Sequence, residues 1–249
     1  MTIALITGGS RGLGRAEALR LADAGVDVII TYNTNLTAAE ATLADLRAKG
    51  VKAAALPLPM NDVGVFAAFA EALEGAMAGL GYDRLDFLVN NAGDGGYALA
   101  ADTTVELFDR LYAVHLKAPF FLTQALAPLL RDGGRVVNTS SGLARMTMPG
   151  SIAYASMKAG VETMTRYYAQ ELGPRGISVN VVAPGAIETD FGNGRVRDNA
   201  EINKMVAGLT AMGRVGLPGD EGAAVASLLT SKGNWVTGQR IEVSGGQGL

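Results

Sequence analysis

Short apolar runs, rich in β-branched residues, alternate along this chain with longer amphipathic stretches. Ile3 to Thr7, Val26 to Thr31, Val51 to Leu58, Leu85 to Asn90, Arg135 to Ser140, Ile177 to Ala183 and Arg240 to Val243 read as seven strands. Most are apolar at consecutive positions, so both faces of each strand should be covered, as in a parallel sheet. The intervening stretches have helical periodicity and are long enough for parallel crossovers, which need a dozen or more residues. One carries its own punctuation: Thr37-Ala38-Ala39-Glu40 has capping-box spacing, and Lys49-Gly50 closes the helix. The pattern predicts an α/β fold with a doubly wound parallel sheet of seven strands, in a single domain spanning 1–249. The segment from Ala186 to Met212 starts with neither periodicity and holds Gly192, Gly194, Arg195 and Arg197. It reads as a mobile insertion, 186–212, that acts as a substrate lid.

Composition narrows the partners. Of 249 residues, 49% are hydrophobic and 18% charged, enough apolar side chain for one large core. The net charge of −3 provides no basic field, which argues against nucleic acid or an anionic membrane as a partner. The absence of cysteine excludes disulfides, thiolate metal sites and a cysteine nucleophile. The first residues, MTIALITGGSRGLG, have a brief apolar run with no basic region before it, and no later stretch reads as long enough to span a bilayer. A cytoplasmic location is expected.

The first strand runs straight into Thr7-Gly8-Gly9-Ser10-Arg11-Gly12-Leu13-Gly14, from which an amphipathic helix continues to Gly25. A helix starting there aims free N–H groups and the positive end of its dipole at an anion above the strand ends. Gly8 permits the tight turn, Gly12 lets a pyrophosphate approach the backbone, and Gly14 lets helix and strand pack closely. This turn resembles the TGxxxGxG fingerprint of the short-chain dehydrogenase/reductase family. The similarity continues in order through Asn90-Asn91-Ala92-Gly93, a serine followed by YxxxK, and Pro184-Gly185. It implies a Rossmann-type fold with strand order 3-2-1-4-5-6-7, and a homotetramer or dimer built from helix pairs and the last strand. It also implies that Asn90 steadies the sheet while Ala92 and Gly93 let the cofactor lie flat.

Rossmann proteins that prefer NAD place an acid at the end of the second strand to bind the ribose hydroxyls. Here Thr31-Tyr32-Asn33-Thr34 offers no carboxylate to repel a 2′-phosphate, and Arg11 is placed to pair with one. NADP(H) is therefore expected over NAD(H), with Tyr32, Asn33 and Thr34 around the phosphate. Many relatives bind adenine through an acid after the third strand, but Pro59 stands there, leaving the Met60 backbone or the Asn61 side chain as replacements. Asp62 could simply cap the next helix. After the sixth strand, Pro184, Gly185, Ile187 and Thr189 match the family motif that covers the carboxamide side of the nicotinamide.

Carbonyl reduction builds negative charge on the substrate oxygen, so the site needs a proton donor and a second hydrogen bond aimed at that oxygen. Tyr154 and Ser141 can supply them. Bringing a free tyrosine to neutral pH means stabilising phenolate by about 4 kcal/mol, a task for a nearby cation. Lys158, four residues on in Tyr-Ala-Ser-Met-Lys, would share a helix face with Tyr154. The resemblance implies the same trio, and its serine–tyrosine spacing selects Ser141 over Ser140. His115, the only histidine, departs from the pattern. It occupies the position of the family's fourth catalytic residue, an asparagine whose main-chain carbonyl holds a relay water. In an α-helix that carbonyl would bond the N–H four residues later, but Pro119 has none, so His115 should still offer it. Its imidazole either titrates in the relay or is simply packed.

The chain is thus expected to be an oxidoreductase acting on a small-molecule carbonyl or alcohol, such as a 3-oxoacyl thioester or small ketone, with no metal. An NAD-dependent alcohol or sugar dehydrogenase is the nearest alternative. A non-catalytic NADP-binding sensor has no use for Ser141, Tyr154 and Lys158 together. An epimerase of the extended family would need a C-terminal substrate domain, and a methyltransferase neither the tyrosine nor the lysine. Asp94 to Tyr97, Leu143 to Met148 and the lid should line the cleft, with Met146, Met148 and Phe191 making it apolar.

Overall fold

The computed structural model describes residues 1–249. Its strands are β1 (Ile3–Ile6), β2 (Asp27–Tyr32), β3 (Ala53–Pro57), β4 (Leu85–Asn90), β5 (Leu130–Thr139), β6 (Ser178–Pro184) and β7 (Arg240–Val243). They form one seven-stranded sheet in the order β3-β2-β1-β4-β5-β6-β7, with every pair parallel. The expected strand order is therefore present. The order reverses between β1 and β4, and a crevice above the carboxyl ends of the strands opens there.

The alternating strand positions feed two cores. Ile3 and Leu5 face one side with Leu88, Val136 and Val179, under α3 (Phe66–Leu80), α5 (Ala118–Leu126) and α6 (Ile152–Leu172). Ala4 and Ile6 face the other with Ile30, Val137 and Val182, under α1 (Gly12–Asp23), α2 (Leu36–Ala48) and α9 (Pro218–Thr230). Burying one such aliphatic side chain contributes about 1.5–3 kcal/mol, and each strand supplies several to each face.

Several local expectations change. The α2 cap is Asn35, whose side chain accepts from the Ala38 amide, and Thr37 lies inside the helix. β3 starts two residues later than its apolar run because the Lys52 amide turns to the Asp27 carboxylate at 2.8 Å. β5 begins earlier, at Leu130, which pairs with Leu85 before a register shift carries Phe87 to Arg135. One stretch, Val63–Leu80, is after all long and apolar enough to cross a membrane by length and composition. Alanine and glycine raise its hydropathy, and in the fold Phe66, Phe69, Leu73 and Met77 pack it onto the sheet.

The helix after β4 changes register. Between α4 (Val105–Tyr112) and α5, residues Ala113–Lys117 form a π-helical turn in which the Ala118 amide donates to Ala113. The expectation of plain α-helix around His115 is thus corrected. The Pro119 ring would press on the carbonyl four residues back, and the wider turn relieves that clash. Proline withholds a donor from His115 in the α register and from Val114 in the π register. The segment 186–212 contains two short helices, α7 (Arg195–Asp198) and α8 (Ala200–Gly208).

Candidate active site

All the candidate residues lie at the carboxyl ends of the strands. In the β1–α1 turn, Gly8 has φ +67°, and a Cβ there would come within 3.0 Å of the Ala92 backbone. A Cβ on Gly14 would strike the Gly8 carbonyl at 2.6 Å and the Asn91 side chain at 2.5 Å. Gly14 thus closes the turn against the loop after β4, a closer approach than the helix–strand packing expected of it. Gly12, Ser10 and Leu13 complete the turn, and the Gly12 Cα opens toward Thr189. No side chain caps α1, so its first amides point free into the crevice.

Thr7, which sequence reasoning passed over, joins the two loops. Its buried hydroxyl accepts from the amides of Asn91 and Ala92, each at 3.0 Å, and donates to Val89, while its carbonyl accepts from the Asn91 side chain. The threonine opening the glycine run was the available signal. Asn90 donates to Thr123 at 2.9 Å and Asn138 at 2.8 Å, tying β4 to α5 and β5 as expected. Ala92 and Gly93 follow at the crevice edge.

At the end of β2, Tyr32 is half-buried and Asn33 and Thr34 are exposed. Arg11 is exposed and its side chain makes no hydrogen bond or ion pair within the chain, whereas neighbouring Arg15 is held by Asp45 at 2.6 Å. Met60 turns its side chain into the core beside Phe66, so only its backbone is offered there; Asn61 is exposed. Asp62 does cap the turn that follows, accepting from the Gly64 amide. Across the crevice, Pro184 ends β6, Gly185 bonds β7, and the Ala186 amide is held by the Gln247 side chain at 2.8 Å. Ile187 bridges to Gly216, and the Thr189 hydroxyl accepts from the Phe191 amide.

Ser141, Tyr154 and Lys158 converge. Tyr154 and Lys158 are buried on one face of α6, with the lysine Nζ 5.7 Å from the tyrosine ring centroid and 2.7 Å from the Thr139 carbonyl. The Ser141 hydroxyl, which accepts from the Leu143 amide, stands close enough to Tyr154 to favour its phenolate. Ser140 is excluded from that role because its hydroxyl is spent on Glu162 at 2.7 Å. Burial lowers Lys158 to about 8. Burial also pushes the Tyr154 phenol well above its ordinary value; Ser141 pulls it down, while Tyr97 and Asp94 push it further up. The chain by itself therefore holds Tyr154 as a protonated donor rather than bringing it down toward neutrality.

His115 packs edge-on to Tyr154, with ring centroids 5.0 Å apart and planes at 87°. Its Nε2 lies 2.7 Å from the Asp94 carbonyl, which sets the Nε2–H tautomer. The Asp94 amide is 3.3 Å from the same nitrogen, and the shorter contact decides. Burial, then the Lys158 charge, lowers its pKa, with Asp94 opposing. Of the two roles open to the imidazole, the packed and neutral one fits this geometry. From the 186–212 segment, Phe191 reaches over Tyr154 with centroids 5.7 Å apart, and Gly192 presses against Gly95 and Tyr97.

A family model described as enoyl-(acyl carrier protein) reductase matches residues 8–247. Versicolorin reductase 1 of Aspergillus parasiticus is 34% identical over 98% of this chain and 95% of its own length. A solved structure of LugOII, a promiscuous reductase described as catalysing keto-reduction at C1 during lugdunomycin biosynthesis, is 40% identical. It superposes with a TM-score of 0.91 over 100% of this chain and 98% of its own. The landomycin C-6 ketoreductase LanV, solved with bound NADP and rabelomycin, is 35% identical with a TM-score of 0.89 over 99% and 96% of the two chains.

Proposed function

Because the chain belongs to the short-chain dehydrogenase/reductase family, oxidoreductases acting on carbonyl and hydroxyl groups, we propose that it is an NADPH-dependent reductase of ring ketones. The carrying observation is the aromatic wall at the proton donor: Phe191 packs on Tyr154 at 5.7 Å, and Tyr97 stands beside the lid glycine. A flat ring packs against such faces better than a flexible acyl chain does. The similarity to versicolorin reductase, LugOII and LanV supports the same substrate class.

The residues present fit a dinucleotide. At Gly12 nothing stands nearer than Thr189, 3.9 Å from where a Cβ would be, so the turn leaves open space for a pyrophosphate against its backbone, and the free amides of α1 face that place. Arg11 would take the 2′-phosphate, with Asn33 and Thr34 beside it, which favours NADP(H) over NAD(H). Ile187 and Thr189 would meet the carboxamide, and Tyr154 and Lys158 the nicotinamide ribose. When bound, the cofactor supplies the hydride to the carbonyl carbon. Ser141 donates a hydrogen bond to the carbonyl oxygen and orients it. Tyr154 delivers its proton to the same oxygen as negative charge develops there. Lys158, fixed by Thr139, offers positive charge to the phenol as the proton leaves. We further propose that 186–212 closes over the substrate, and that the protein acts in the cytoplasm as a homotetramer or dimer.

Initial rates on 1-tetralone, cyclohexanone and acetoacetyl-coenzyme A, each with NADPH and NADH, test this reading. Tetralone reduction by NADPH should exceed thioester reduction at least about tenfold in kcat/KM, a gap of about 1.4 kcal/mol in transition-state binding. Preference for the thioester would overturn the ring-ketone assignment, and equal use of NADH would overturn the role given to Arg11.

A further inference from the structure

The loop after β4 carries a carboxylate that the chemistry above does not use. Asp94 is half-buried, and Arg110 of α4 grips one of its oxygens. The other lies 3.3 Å from His115 Nε2, the nitrogen already bound at 2.7 Å by the Asp94 carbonyl. His115, 2% exposed, abuts the Tyr154 ring on its other side. Its Cε1 would lie 2.7 Å from any Cβ at position 93, so Gly93 completes the socket that holds the ring. Guanidinium, carboxylate, imidazole and phenol form one continuous stack from the cleft rim to the reacting hydroxyl.

We propose that Asp94 is a positioning residue: clamped by Arg110, it locks His115 against Tyr154 and sets a fixed negative charge behind the phenol, keeping Tyr154 protonated and biasing the site toward ketone reduction over alcohol oxidation. The inference rests on Tyr154 being the proton donor. Five groups with charge or exchangeable protons face that tyrosine, His115 among them. Ser141, from the end of β5, and Lys158, from its own helix, favour the phenolate. Asp94 and Tyr97, from the loop after β4, oppose it, and burial opposes it most. Arg195 of the lid faces Tyr97, and Phe191 carries no charge. His115 is neutral and transmits position rather than charge. Although burial works against the ionised form of Asp94, His115 and Arg110 outweigh it and hold the carboxyl below its ordinary range, so the charge is present wherever the enzyme works. Arg110 partly cancels that charge. Removing the carboxylate and removing its cation must therefore act on Tyr154 in opposite directions, which simple loosening of the loop would not do.

The test uses the full-length protein saturated with NADP, as unaltered protein, Asp94→Asn and Arg110→Gln. One readout is the acid limb of 1-tetralol oxidation, where Tyr154 must be ionised to accept a proton. The other is the ultraviolet phenolate titration of the NADP complex, with the Tyr154→Phe protein as baseline. Asp94→Asn should move the limb and titration down by about half to one pH unit, so that oxidation below the limb is about three- to tenfold faster. Arg110→Gln should move both upward, with KM for 1-tetralol in Asp94→Asn unchanged within about twofold. An unmoved phenolate titration in Asp94→Asn, or shifts of the same sign in both variants, would overturn the proposal. If the unaltered protein leaves tetralol untouched, the ring-ketone reading fails, and the phenolate titration still decides the role of Asp94.

Discussion

Glu17 of α1 and Glu221 of α9 are both 0% exposed, and their carboxyl groups face each other across the seam between the two helices. The helices meet closely: a Cβ on Gly222 would lie 2.8 Å from the Ala16 carbonyl. None of the four carboxyl oxygens has a hydrogen-bond partner. Two anions cannot be kept there without a cation, so the native state must retain a proton between them. Burial raises both pKa values, and for Glu17 repulsion from Glu221 adds to it. Because the folded pKa lies above the unfolded one, the native state binds more protons than the unfolded chain from the ordinary carboxyl range upward. Stability from this pair is complete below the unfolded pKa and declines as pH rises toward the folded value. One extra proton gives a slope of about 1.4 kcal/mol per pH unit, or roughly 3 kcal/mol over two units. The perturbation is Glu17→Gln with Glu221→Gln, which preserves shape and lets each amide donate to the other. Urea unfolding at fixed protein concentration, at several pH values between about 5 and 8, measures both proteins. Subtracting one curve from the other cancels every other titrating group. The double variant should gain on the unaltered protein steadily as pH rises; parallel curves would refute the shared proton.

Five further variants have expected outcomes. Tyr154→Phe should cut reduction by at least about a hundredfold, the low end for loss of a general acid, while tryptophan or cofactor fluorescence shows NADPH still bound. Arg11→Ala should weaken NADPH about ten- to a hundredfold with little effect on NADH, and Asn33→Asp should shift preference toward NADH, both read from Kd by titration. Gly14→Ala forces a Cβ against the Gly8 carbonyl at 2.6 Å, and should raise the cofactor Kd and lower Tm together. His115→Asn should slow turnover but leave the pH–rate curve without a displaced inflection near pH 6.5, because burial and Lys158 already hold the imidazole neutral; a displaced inflection would restore its titrating role.

Much of the molecule could be read from the chain because the information is local. Consecutive apolar positions announce a strand covered on both faces, and glycine at positions 8, 12 and 14 is demanded by a turn whose donors sit on the same short segment. Tyr154 and Lys158 share a helix face by spacing alone. What spacing could not supply is which distant groups meet. The Asn35 cap, the early start of β5 and the diversion of the Lys52 amide all depend on competition among hydrogen-bond partners that only the assembled sheet offers. The π turn at Ala113–Lys117 is a compromise between a proline ring and a helix packed on both sides. The pairing of Glu17 with Glu221, the stack from Arg110 through Asp94 and His115 to Tyr154, and the fall of Phe191 over that ring join residues far apart in sequence. Periodicity determines which face each element buries, whereas burial in the finished fold determines which charges meet there and which protonation state they keep.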